Sequence, residues 1–380
     1  MFKLLHAGFD TIDLAIQGSL PPKILDQLRA ARDEAATQQE PALCHLSDGK
    51  FAAHVSSHGA KGGYAFLLST GPTGANWMIK DSSDPNQWNI FVSPRSTMLL
   101  TNGYAETFTT IEQTIADLGG KVIGVSLNRA DFAMDFQTFG FELEIDRFVT
   151  HARCKLKPYW SKADQAKDTD QPRSVLNGRR VESVTIGSMP GRQIIVYDKR
   201  TEAIARHKPH WFEVWGVDRD DPDLEVWRVE VRAGKDHLKD AYNIRTLEDF
   251  ENSIGDVIVN SLEKIRYLAS RQTDSNISRQ ILHPLWEATQ ATAKRELLDL
   301  RSGLSPDQIR SIEREKAVDI YLKQVFGNAV GCAVAMGWDD DAIGEKLPTL
   351  MVEKLKAVFE NDPEAFEKAI SRTRKRLHFL

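Results

Sequence analysis

The chain has 380 residues, of which 41% are hydrophobic and 27% charged, and its formal net charge is -5. That length suits two or three domains with a sizeable core, and the composition is that of an ordinary soluble globular protein rather than a disordered or fibrous one. No overall basic field attracts a polyanion, so contact with nucleic acid has to come from a local patch.

In chain order, TIDLAI (11–16) alternates like a strand, and Ser19 with Pro21-Pro22 opens a helix whose inner face is Ile24, Leu25, Leu28 and Ala31. Short strand-like runs follow between glycine-rich turns: YAFLLST (64–70), NWMIK (76–80) and NIFVS (89–93). A second amphipathic helix over 105–118 carries Phe108, Ile111, Ile115 and Leu118 and stops at Gly119-Gly120. KVIGVSLNRADFAMDF (121–136) is then a long strand. The resulting β-α-β-β-β-α-β order predicts an α+β layer, helices over one face of a mainly antiparallel sheet.

The polar stretch from about 160 to 182 reads as a loop, and two further strands follow, VTIGS-MPG-RQIIVYDK and LEVWRVEVRA. Thr246 and Asp249 form a capping-box pattern that starts a helix through Ile254, Val257, Ile258, Leu262 and Ile265. Beyond that the chain reads as helical: Ser305-Pro306 opens a long helix reaching Trp338, and Asp362-Pro363 opens the last one. We therefore divide the chain at residues 1–270 and an all-helical 275–380.

Cys44, Cys154 and Cys332 are far apart, with no CxxC, which fits a reducing cytosol and argues against a disulfide scaffold or zinc ribbon. The first residues show no signal-peptide pattern, and no apolar run is long enough to span a membrane. Residues 151–210 carry thirteen basic against six acidic side chains, a local charge of +7 that is either a solvated surface or a polyanion groove.

The chemistry-bearing residues concentrate on three strands. NRADFAMDF (128–136) sends Arg129, Asp131 and Asp135 to one face and Phe132, Met134 and Phe136 to the other. Four residues of strand put the two aspartates about 13 Å apart, so both cannot chelate one ion on a straight strand; at least one pairs with a base or holds an arginine. Tyr197 and Lys199 share a face of the second strand, and Arg228, Glu230 and Arg232 share a face of the third. Three such polar faces point to a shared groove. GPTGANW (71–77) lacks the GK[ST] of a P-loop; HVSSH (54–58) and HKPH (207–210) have metal-like spacing without further ligands and read as surface histidines.

NRADFAMDF, TIGSMPGRQIIVYDKRTE and WRVEVR, in that order, resemble the trans-acting rolling-circle replication initiators of plasmids and phages. The matching positions are Arg129, Asp131, Ala133 and Asp135; Gly187, Ser188, Tyr197, Asp198, Lys199 and Glu202; and Arg228 with Glu230, within a resemblance spanning roughly 8–265. GGYAFLLSTGPTGANW also looks like the N-terminal half of the phage-type members.

The resemblance implies an HUH-endonuclease-like core without its histidine pair. It implies an enzyme that nicks one strand at an origin, forms a 5′-phosphotyrosyl link and leaves a 3′-OH to prime replication. A divalent ion, Mg²⁺ or Mn²⁺, would be held by acids, with Asp131 and Glu230 first and Asp135 third. Lys199 and Arg228 would neutralise phosphate oxygens. Tyr242, twelve residues after Glu230, is the expected nucleophile, with Tyr197 the alternative. Single-stranded or supercoiled origin DNA is the expected partner, with a host helicase and a homodimer also in view and no membrane, in a bacterial cytoplasm. Two competing expectations remain: an origin-binding protein that has lost catalysis, and a metal nuclease that uses water and leaves no covalent adduct.

Overall fold

A computed structural model describes residues 2–151, 154–160, 180–271, 276, 279–300 and 306–376. β1 (Lys3–Ser19) begins well before its alternating run, so His6, Gly8 and Asp10 belong to the same strand as TIDLAI. α1 (Pro22–Gln38) follows with the expected inner face, then β2 (Ala42–Leu46) and β3 (Phe51–Val55). This hairpin adds two strands to the expected order. Its alternation is faint because only Ala42, Leu46, Ala53 and Val55 are buried. β4 (Phe66–Ser69), β5 (Ala75–Ile79) and β6 (Trp88–Pro94) match the three predicted short strands. α2 (Ser96–Asp117) starts earlier than its spacing suggests, because a turn of helix precedes a break at Gly103 (φ 71°).

β7 (Lys121–Thr138) is the long central strand. β8 (Phe148–Thr150), β9 (Leu156–Trp160), β10 (Val181–Gly187) and β11 (Arg192–Asp198) come next. The expected loop at 160–182 falls mostly outside the described residues. α3 (Lys199–Ala205), α4 (His210–Trp215), β12 (Glu225–Gly234) and a π-helical turn at His237–Ala241 lead to α5 (Leu247–Lys264). The Thr246–Asp249 capping box is present in full: the Asp249 backbone N–H donates to the Thr246 hydroxyl oxygen and the Thr246 backbone N–H donates to the Asp249 carboxylate. β13 (Ile265–Tyr267) and α6 (Pro284–Glu296) complete this part.

Among the described residues, eleven strands form one antiparallel sheet in the order β2-β3-β4-β5-β6-β1-β7-β12-β11-β10-β9, and β13 pairs with β8. The architecture is therefore α+β, as predicted. The Phe132 face of β7 meets α2 and α5 through an aromatic cluster in which Phe9 contacts Phe132 at 5.2 Å and Phe250 at 5.3 Å between ring centroids. Tyr104 and Phe108 of α2 extend it. Burial of these large rings is the dominant favourable term for that layer.

The turn between β10 and β11 shows why the Gly-Ser-x-x-Gly sequence matters. Gly187 has φ +92°, and a Cβ there would sit 2.1 Å from the Arg192 carbonyl oxygen. Gly234 at the end of β12 is equally crowded: its Cβ would lie 2.2 Å from the Pro190 oxygen, so the turn lies directly on the strand backbone.

The chain divides into two units at Gly303/Leu304, later than the 270/275 boundary expected. The helical pattern of α6 alone does not distinguish it from the C-terminal helices. Its Trp286 and Gln290 side chains both donate to the Leu262 carbonyl at 3.0 Å, which ties it to α5. The second unit contains α7 (Pro306–Ala335), α8 (Asp340–Asn361) and α9 (Pro363–Arg376). Ala329, Ala333 and Leu347 form its small core, with Trp338 and Met351 packed alongside.

Candidate functional site: a buried ion-pair ladder on the central strands

The strand alternation of β7 and β12 places acids and bases in register. Asp131 is opposite Arg232, Ala133 opposite Glu230, and Asp135 opposite Arg228. Tyr197 on β11 is opposite Arg228 on its other side. On β1, Asp13 faces Arg129 and His6 faces Asp135, with a bulge between Phe9 and Thr11 where Asp10 sits. Ala133 is the small residue in the row, and Glu230 stands opposite it.

This face is not a wet surface. Asp131, Asp135 and Arg228 are 0% exposed and Glu230 1%. Burying such polar groups is costly unless they are paired and hydrogen-bonded, and here they are. Arg228 donates Nε to Asp135 Oδ1 at 2.5 Å, Nη2 to Asp135 Oδ2 at 2.8 Å, and Nη1 to Asp10 Oδ1 at 2.7 Å. Trp215 Nε1 donates to Asp135 Oδ2 at 2.9 Å. Trp211 covers the Arg228 guanidinium, 4.4 Å from ring centroid to Cζ, and Lys199 Nζ lies 4.9 Å from the same ring. Both tryptophans come from α4, which thus roofs this end of the polar face.

At the other end, Tyr197 donates its hydroxyl to Glu230 Oε2 at 3.2 Å, and Arg232 donates Nε to Glu230 Oε1 at 2.7 Å. Arg129 donates to both oxygens of Asp131, with Nη2–Oδ2 at 2.6 Å. Arg232 Nε lies 3.6 Å from Asp131. Burial, reinforced by the negative charge of Glu230, raises the Asp131 carboxyl to about 7 against the opposing hydrogen bonds from Arg129. Burial lifts the Tyr197 hydroxyl well above its ordinary value. Burial, together with the nearby Arg228 charge, lowers Lys199, whose Nζ donates to Glu202 at 2.7 Å.

The sequence-predicted residues therefore fall into two groups. Asp131, Glu230, Tyr197, Arg228, Lys199 and Asp135 share one connected polar cluster. Both aspartates bind arginine, Asp131 to Arg129 and Asp135 to Arg228, and Asp135 is so fully engaged by Arg228 and Trp215 that it has the least capacity to ligate an ion. Tyr242 is 4% exposed at the end of the π-helical turn, its ring 5.3 Å from that of His237. Sequence reasoning missed His6, Asp10, Trp211 and Trp215. HAGFD alternates polar and apolar, and Trp211 and Trp215 stand at i and i+4, so both signals were present in short form.

Among the described residues no three His, Cys, Asp or Glu side chains group as a cation site. A hard divalent ion held by one or two carboxylates, waters and phosphate oxygens needs fewer. Asp131 and Glu230 are the paired acids that could supply it, but Arg129 holds Asp131 and Arg232 holds Glu230, so an ion there would have to displace those arginines. HVSSH and HKPH form no such group either; His54, His58 and His207 are exposed. Much of the basic segment is structurally occupied: Arg180 reaches Asp198 at 3.3 Å, and Lys208 with Lys199 brackets Glu202. Arg153, Lys162, Lys167, Arg173 and Arg179 lie outside the described residues.

No family model matches the chain, and no curated protein matches it. Among solved structures it is similar to the rolling circle replication initiator protein from Geobacillus stearothermophilus, at 15% identity and a TM-score of 0.44, covering 78% of this chain and 97% of that one. No helix among the described residues is long and apolar enough to cross a membrane.

Proposed function

We propose that the protein is a rolling-circle replication initiator that nicks one strand of origin DNA through a tyrosine. The observation that carries the reading is the convergence of Asp131, Glu230, Arg228 and Tyr197 on one face of three adjacent strands, which Lys199 joins from the first turn of α3 and not, as expected, from the strand itself. Those are residue types phosphoryl transfer needs around the phosphate, acids to hold a cation and bases for phosphate oxygens, with one tyrosine hydroxyl among them. Asp131 and Glu230 would hold Mg²⁺ or Mn²⁺, whose chemistry there is to neutralise charge building on the phosphate.

In the step itself a tyrosine oxygen bonds to phosphorus, the P–O3′ bond breaks, and the 3′-oxygen leaves as a hydroxyl after taking a proton. The tyrosine proton passes to a carboxylate or solvent. Tyr242 is the proposed nucleophile, because it follows Glu230 on the segment that continues β12 past the Asp131 end of the ladder. Its burial requires the π-helical turn to open. Tyr197 is the competing nucleophile, favoured by its hydrogen bond to Glu230 and by its place in the wall of a 730 Å³ cleft with Tyr159 and Thr201. Supercoiled origin DNA, a host helicase and a second copy of the chain are the partners this reading implies.

The test is incubation with single-stranded origin DNA and Mg²⁺ or Mn²⁺, followed by a denaturing gel. A covalent adduct that vanishes in Tyr242→Phe supports the proposal. Loss in Tyr197→Phe alone transfers the role to Tyr197. Cleavage without an adduct identifies a water-using nuclease, and binding without cleavage identifies an inactive origin-binding protein.

A further inference from the structure

A cleft of about 880 Å³ opens on the same polar sheet face, next to the ladder. Asp13 and Arg129 line it, and Arg129 is also the partner of Asp131, so cleft and ladder are continuous. Six chain segments meet there: β1, the approach to β4, β6, β7, the Met189–Pro190 turn, and the segment from Lys235 to Thr246. One wall is aromatic: Tyr64, Trp88 and Phe91, with the Tyr64 and Phe91 rings 6.2 Å apart and Trp88 41% exposed. The other wall is basic: Lys235, Lys239 and Arg245.

None of these three cations forms an ion pair among the described residues. Lys239 donates to the Asn128 amide oxygen at 2.9 Å and Arg245 to the Asn243 oxygen at 3.0 Å, both neutral acceptors. Burial lowers Lys239, and the Arg245 and Lys235 charges lower it further against the opposing pull of Asp240. Asp13, the one acid in the lining among the described residues, accepts a hydrogen bond from Ser93 at 2.7 Å and faces Arg129. The cleft thus combines an exposed indole with three cations that no carboxylate neutralises among the described residues. It matches a polymer with flat apolar bases on one side and phosphates on the other.

We propose that this cleft is the track for single-stranded DNA, with bases stacking on Trp88, Phe91 and Tyr64 and phosphates meeting Lys235, Lys239 and Arg245. The inference rests on the nicking proposal for its biological sense, since the track leads the strand past Arg129 to Asp131 and Glu230. Duplex DNA fits it poorly, because paired bases offer no free faces to the aromatic wall.

The test is fluorescence anisotropy of labelled oligothymidylate with the full chain in EDTA, so that binding is read without cleavage. Trp88→Ala is expected to weaken binding by about fivefold or more, and Trp88→Phe, which keeps a ring, to restore most of it. A triple Lys235→Ala, Lys239→Ala, Arg245→Ala variant is expected to reduce the slope of log affinity against log salt by about 2. Unchanged affinity in Trp88→Ala together with an unchanged salt slope overturns the proposal. So does duplex DNA, or oligouridylate, binding more tightly than oligothymidylate with the same dependence on Trp88. The two readings fail separately: an adduct with no effect of these variants removes the track alone, whereas loss of binding in the variants with no adduct from the wild type removes the nicking reading alone.

Discussion

Arg228 and Asp135 face each other across β12 and β7 and form a bidentate ion pair in which both side chains are wholly buried. The Asp10 carboxylate occupies the third arginine nitrogen, Trp215 the second aspartate oxygen, and Trp211 the guanidinium face. The ladder is thus built around a pair that water does not reach.

Breaking that pair from one side leaves a buried charge uncompensated. Arg228→Met should cost about 3–5 kcal/mol in urea unfolding. The double variant Arg228→Met, Asp135→Leu should recover part of it, since both charges then leave together. A double-mutant cycle measures the coupling.

Asp131 sets a pH dependence of defined sign. Its carboxyl is raised from 3.8 to about 7 in the folded chain, so between those values the folded state holds a proton that the unfolded state has lost. Stability therefore falls as pH rises through this window and levels off above about 7, by an amount on the order of a few kcal/mol. Asp131→Asn should flatten the slope between pH 4 and about 7 in urea titrations at successive pH values. An unchanged slope would show that Asp131 ionises normally.

Gly187→Ala meets both a left-handed backbone and a carbonyl oxygen at 2.1 Å. A loss of about 1–3 kcal/mol is expected, seen as a lower Tm with the far-ultraviolet spectrum of the folded state retained at low temperature. The same substitution at exposed Gly140, where a Cβ would meet nothing within 4 Å but φ is +62°, should cost less.

Thr246→Ala removes one half of the capping box at the start of α5. About 1 kcal/mol is expected, and Thr246→Ser should retain most of it. Because Thr246 also borders the basic cleft, binding of oligothymidylate by Thr246→Ser provides a control that separates helix stability from cleft chemistry.

Local pattern determined a good deal of this protein. Alternation identified β7, β11 and β12 and assigned Arg129, Asp131, Asp135, Arg228, Glu230 and Tyr197 to one face, because strand geometry fixes side-chain direction to every second residue. The Thr246–Asp249 signature, a local hydrogen-bond pattern, located the start of α5 for the same reason. What alternation could not give was which strands are neighbours and what covers them. β1 enters the sheet between β6 and β7 although it is far from both in sequence, and only that pairing brings Asp10 to Arg228. α4 lies over the polar face only after the chain turns back from β11, and its tryptophans turn an expected open groove into a buried ladder at that end. The α6 assignment shifted likewise, since periodicity shows that a segment is helical but not which core receives it. Strand alternation sets the direction of each side chain along its own strand; the tertiary structure decides which charges meet and which are shut away from water, because burial and pairing depend on contacts between residues distant in the chain.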